Sequence, residues 1–105
     1  MSAKTKEMID KYPKTMSEMR NLMEYNFKVF AAKQADYGPN NIKIHGSKRL
    51  SLLGIAIRSN DKIQRVLNLL DNGQEPNNES LEDSFLDLAN YAYMACIVMR
   101  DKWGK

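Results

Sequence analysis

Residues 79–99, ESLEDSFLDLANYAYMACIVM, decide the fold. Leu81, Phe85, Leu88, Ala92, Tyr93, Cys96 and Met99, with Leu86, Ala89, Ala95 and Ile97, make this stretch apolar around most of a helical circumference. Such a helix is buried by its neighbours, so the spacing predicts a helix from about Ser80 to near Lys102 in an all-α protein. Against that background Glu79, Asp83, Asp87 and Asn90 recur at i, i+4, i+8 and i+11, within a sector of roughly 80°. The early acids offset the helix dipole, and Ser80 with Asp83 has capping-box spacing. Asp87 has no cap to serve. Two turns in, between Leu86 and Leu88, its carboxylate needs a cation, either a basic side chain from another helix or a metal ion. Magnesium takes few carboxylates together with waters and phosphates, which a Glu79–Asp83–Asp87 ladder could supply.

Working outward, Ser47 is a good N-cap for a preceding helix that runs to about Asp71 and leaves through Asn72-Gly73. At about 100° per residue, Leu52, Ile55, Ser59, Ile63, Val66, Leu67 and Leu70 fill one broad arc. The opposite arc gathers Gly54, Arg58, Asp61, Lys62, Arg65 and Asn68. Arginine presents a planar fork that suits phosphate oxygens. A solvated face in which Asp61 pairs with Arg58 and Arg65 explains the same residues. Lys48 and Arg49 add positive potential where the backbone N–H groups of a helix start already favour anions. The glycine spacing of a P-loop is absent.

An earlier helix is expected from Thr15, where Thr15 and Glu18 have capping-box spacing, to Gly38-Pro39, which stops it. Met16, Met19, Met23, Phe27 and Phe30 share one face as a stripe expected in the core. Residues 1–13 read as a flexible arm and 14–105 as one helical domain. In the loop between the first two long helices, Ile42 and Ile44 alternate with Lys43 and His45, which allows a short extended piece. Three long helices with two loops describe an antiparallel bundle. Few long helices in a small chain leave apolar surface that self-association would cover, so a homo-oligomer is expected.

The bulk properties narrow the classes. In 105 residues, 16 basic and 13 acidic side chains give a net charge of +3. They are intermixed, without the continuous basic stripe that duplex DNA requires. One cysteine, Cys96, and one histidine, His45, make neither a disulfide framework nor a zinc site. The polar start lacks a signal peptide's apolar run, and the most apolar stretch carries Asp87, so no membrane span is expected. A reducing cytoplasm is the expected compartment.

Three segments taken in order resemble the nucleotide-modification-associated domain family, small helical proteins frequent in bacteriophages. They are Ala35-Asp36-Tyr37-Gly38, then Arg58-x-x-Asp61-Lys62-x-x-Arg65, then Glu79-x-x-x-Asp83-x-x-x-Asp87-Leu88-Ala89-Asn90-Tyr91. That family is similar in pattern to the all-α nucleoside-triphosphate pyrophosphohydrolases of the MazG and dimeric dUTPase type. The resemblance implies a nucleotide or other phosphate-containing ligand, oligomerisation, and a Mg²⁺ site on the last helix, in an infected bacterial cell if the chain is of phage origin. Resemblance and residues together place Glu79, Asp83 and Asp87 around Mg²⁺, with Asp83 and Asp87 as catalytic carboxylates. Arg58, Lys62 and Arg65 would take phosphates, aided by Lys48 and Arg49. Tyr37, Asn40, Asn41 and Asn90 would contact base or ribose. The pyrophosphohydrolases also use an E-x-x-E set on another helix, and here Glu18 and Glu24 stand isolated. A half-complete cage can orient a ligand but is poorly suited to activating water between two ions. Three readings stay open: a Mg²⁺-dependent pyrophosphohydrolase, a non-catalytic oligomer that sequesters a cyclic or signalling nucleotide against host defence, and a helical interaction subunit.

Overall fold

The computed structural model describes residues 1–43, 46–73, 75–76 and 79–105. Among them the chain is all-helical and holds no strand: α1 (Ala3–Lys11), α2 (Pro13–Tyr37), a 3₁₀ turn (Pro39–Asn41), α3 (Lys48–Asn72) and α4 (Leu81–Met99). No helix among the described residues is long and apolar enough to cross a membrane. Two compact units divide the chain, Met1–Lys33 and Gln34–Lys105.

In the first unit, the residues read as an arm contain a helix. Ser2 caps α1 by accepting the Thr5 N–H at 3.1 Å. The second helix starts at Pro13 rather than Thr15, because proline is pre-set for the first helical position and has no N–H to satisfy. The expected buried stripe is largely exposed here: Met19, Met23 and Phe27 face outward, and Met16 and Phe30 are half-buried. The nine-residue α1 buries no residue of its own and offers little to cover it.

The second unit is built on an antiparallel pair. Lys48, at the start of α3, meets Asp101 just beyond the end of α4, while Lys62 meets Asp87 and Arg65 meets Ser84. Rising numbers on one helix against falling numbers on the other fix the direction. Both N-caps fall where the sequence puts them. Ser47 accepts the Leu50 N–H at 3.2 Å and Ser80 the Asp83 N–H at 3.0 Å. Gly73 ends α3 in the left-handed conformation. The core of the pair is Ile55, Val66, Met94 and Val98, and Ile42, in the turn after α2, is buried as well.

α4 stops three residues early, and the reason is a Schellman turn. Asp101 donates its N–H to the Val98 carbonyl and Lys102 to the Ile97 carbonyl, with Asp101 at φ 58°. An aspartate holds a position that glycine usually fills.

The turn after α2 packs onto this unit. Gly38 has a positive φ of 71° but an extended ψ, so it hands the chain to the 3₁₀ turn rather than forming a left-handed cap. The Arg58 guanidinium donates to the Asn41 carbonyl at 3.1 Å, and the Trp103 indole N–H to the Pro39 carbonyl at 2.9 Å. Gly104 faces the Pro39 ring so closely that an added Cβ would lie 3.1 Å from the Pro39 Cβ. Ile42 has a helical backbone conformation rather than the extended one the alternation allowed; Ile44 and His45 lie outside the described residues.

Candidate functional site

The structure divides the residues singled out from the sequence between two places on the α3–α4 pair. The first lies mid-way along it. The Lys62 ammonium stands 2.8 and 3.0 Å from the two Glu79 carboxylate oxygens and 2.9 Å from Asp87 Oδ2. The three side chains keep only 21%, 27% and 16% of their surface exposed, in the order Lys62, Glu79, Asp87. One turn further on, the Arg65 guanidinium donates to the hydroxyl of the fully buried Ser84 and to the Glu79 carbonyl. Burial works against the Lys62 charge, but its hydrogen bonds to Glu79 and Asp87 and their negative charges outweigh it, so its pKa is raised.

This geometry revises the helical reading of α3. The basic arc turns toward α4, whereas Ile63, Leu67 and Leu70 of the apolar arc, with Leu53 and Ile57, are exposed. A part-buried Asp87 demands a cation, and the face of α3 that carries Lys62 brings one to it. Glu79 also departs from the expected ladder. It precedes the N-cap Ser80, so helical phase does not govern it, and it meets Asp87 through Lys62. Asp83 forms no ion pair among the described residues, and Asn90 lies half-buried three residues past Asp87.

The Mg²⁺ implied by the resemblance can be tested against these donors. Among the described residues no group of three His, Cys, Asp or Glu side chains is placed to hold a metal. Glu79 and Asp87 already share an ammonium, and Arg65 adds a second positive charge beside them. The carboxylates as they stand do not fit a divalent ion.

The second place is a cleft of about 180 Å³ at the start of α3, lined by Lys43, Gly46, Ser47, Lys48, Ser51, Val98, Asp101, Trp103 and Lys105. Ser47 satisfies the Leu50 N–H, while those of Lys48 and Arg49 belong to the helix start, where no intrahelical carbonyl reaches. Lys48 Nζ lies 2.9 Å from Asp101 Oδ1 and 3.4 Å from the Met99 carbonyl. Its hydrogen bond and charge, with the charge of Lys105, hold the Asp101 carboxyl below the ordinary 3.8. Arg49 is exposed beside the cleft.

Of the remaining candidates, Tyr37 is exposed at the end of α2 and Asn40 is exposed in the turn that follows. Asn41 keeps a buried side-chain oxygen that meets no hydrogen-bond donor among the described residues. The structure therefore brings Lys62, Glu79, Asp87 and Arg65 together and sets Lys48 and Arg49 apart from them. Fourteen residues separate Lys48 from Lys62, about 21 Å along the helix axis.

Reading the sequence by helical period missed Lys43, Asp101, Trp103 and Lys105, because all four lie outside helices. Only the aromatic Trp103 directly after an apolar helix signalled a chain end that folds back.

No curated protein and no solved structure matches the chain. The family description that matches is Nucleotide modification associated domain 1, over residues 33–99, close to two thirds of the chain and covering α3 and α4 whole. By that match the chain belongs to the Nucleotide modification associated domain 1 family.

Proposed function

We propose that this chain is a non-catalytic, self-associating binder of a nucleotide, gripping the phosphates at the start of α3. The observation that carries this reading is the cleft. Lys43, Lys48 and Lys105 converge beside the free N–H groups of a 25-residue helix, in a member of a nucleotide-associated family. At about 180 Å³ the cleft is smaller than the roughly 300–1,000 Å³ of whole-ligand pockets. It suits a phosphate group, with the nucleoside left outside. Arg58, Lys62 and Arg65 are already engaged by protein groups and would have to break those bonds to reach a ligand.

Exposed Leu53, Ile57 and Leu67 on α3, with Phe85, Tyr93 and Met99 on α4, support self-association into a helical bundle. Two helices cannot cover each other on more than one side. A phage origin and a role against a nucleotide signal of host defence fit a binder that holds its ligand unaltered.

The test is calorimetric titration with nucleoside triphosphates, diphosphates and pyrophosphate, followed by mass spectrometry of the ligand recovered after heat denaturation. Binding that weakens with salt, drops in Lys48→Glu and Lys43→Glu, and returns intact ligand is expected. Recovery of a cleaved nucleotide, or unchanged affinity in both variants, would overturn the proposal.

A further inference from the structure

We infer that Lys62 is a built-in cation that takes the place a divalent metal would occupy between Glu79 and Asp87, so this chain holds no metal there. An ammonium carries three N–H donors. Here three carboxylate oxygens lie within 2.8–3.0 Å of Lys62 Nζ, two from Glu79 and one from Asp87, which saturates it. The side chains are mostly shielded from water, so the ammonium compensates both carboxylates where hydration does so only weakly. Arg65, bonded to the Glu79 carbonyl and to Ser84, brings the local charge of two carboxylates and two cations to zero. A divalent ion entering this cluster would meet two fixed positive charges and give up tightly held water.

The carboxylate oxygens are nonetheless close to what a metal needs. They surround a common point at 2.8–3.0 Å, and shifts of roughly 0.7–0.9 Å would bring them to the ~2.1 Å at which Mg²⁺ is held. Removing the ammonium should therefore convert a lysine clasp into a metal site. The inference does not rest on the phosphate cleft, and its test uses no nucleotide.

The probe is Mn²⁺ alone, followed by the loss of the free-ion electron paramagnetic resonance signal on titration with the full chain. Wild-type protein is expected to show no Asp87-dependent binding, meaning no difference from Asp87→Asn. Lys62→Met is expected to bind Mn²⁺ roughly tenfold or more tighter than wild type, and Asp87→Asn in that background to abolish the gain. Circular dichroism checks that the variant is folded, with Lys62→Gln as the replacement if it is not. Wild-type binding that disappears in Asp87→Asn would overturn the inference by showing that the lysine yields to the metal. A folded Lys62 variant with no gain would overturn it by showing that the ammonium does not stand in a cation's place.

Discussion

Lys62→Met should be among the most damaging single substitutions on the α3–α4 pair. It leaves Asp87, 16% exposed, and Glu79, 27% exposed, without the ammonium they share. Removing one partner of a fully buried pair costs about 3–5 kcal/mol. Residual hydration of these carboxylates lowers the figure, and methionine restores some packing, so roughly 2–3 kcal/mol is expected. For a domain of this size that is a fall in Tm of roughly 10–15 °C. Urea unfolding followed by far-ultraviolet circular dichroism at pH 7 measures it directly. Adding Asp87→Asn to Lys62→Met, which leaves Glu79 and Arg65 to balance one another, should recover much of the loss, since the local charge then returns to zero. The pH dependence has a definite sign. Because the folded pKa of Lys62 lies above the ordinary 10.5, its contribution is complete below that value and is lost as pH rises through the raised pKa. The wild type should therefore lose this increment only in the alkaline range, and Lys62→Met should lack that component. A single variant within about 0.5 kcal/mol of wild type, or a double variant no better than the single, would refute the reasoning.

Other substitutions probe neighbouring parts of the same unit. Ser84→Ala removes the fully buried hydroxyl that accepts from Arg65 and should cost about 1–3 kcal/mol in the same urea assay. Ile55→Ala opens a cavity in the small core and should cost about 2–5 kcal/mol. Asp101→Gly keeps the left-handed turn that ends α4 while removing the carboxylate that competes for Lys48, so pyrophosphate affinity should rise in calorimetry with no loss of Tm. Ile57→Lys combined with Phe85→Lys should lower the mass seen by sedimentation equilibrium if the exposed apolar faces join copies of the chain.

Much of the helical framework was legible because its signals are local. Ser47 and Ser80 cap the helices expected to begin after them, and Asn72-Gly73 closes α3 as its left-handed preference requires. The need of Asp87 for a cation was equally legible, since a carboxylate between two leucines states its own electrostatic problem. The solution was not. Lys62 sits on an arc whose composition suits solvent, ligand or a partner helix alike, and only packing distinguishes them. Burial on α3 went astray for the same reason: satisfying Asp87 turned Lys62 inward and Ile63, Leu67 and Leu70 outward. Glu79 shows a different limit, because periodicity assigned it to a helix that it precedes by two positions.

The two charged places differ in the one respect that bears on ligand binding. At Lys62 the opposing charges are matched within hydrogen-bond distance and shielded from water, so an incoming phosphate would gain an ammonium only by stranding two carboxylates. At the start of α3 the balance is open. Asp101, the carboxylate in the cleft, is exposed and counters Lys48 across a solvated contact of small net value, while Lys43 and Lys105 add positive charge to the same lining. A phosphate arriving there displaces water and one weakly held side chain, and it strands no buried charge. Counting basic residues favours the mid-helix strip, with Arg58, Lys62 and Arg65. Counting what each would have to give up favours the cleft, and for a ligand competing with internal partners it is the second count that sets affinity.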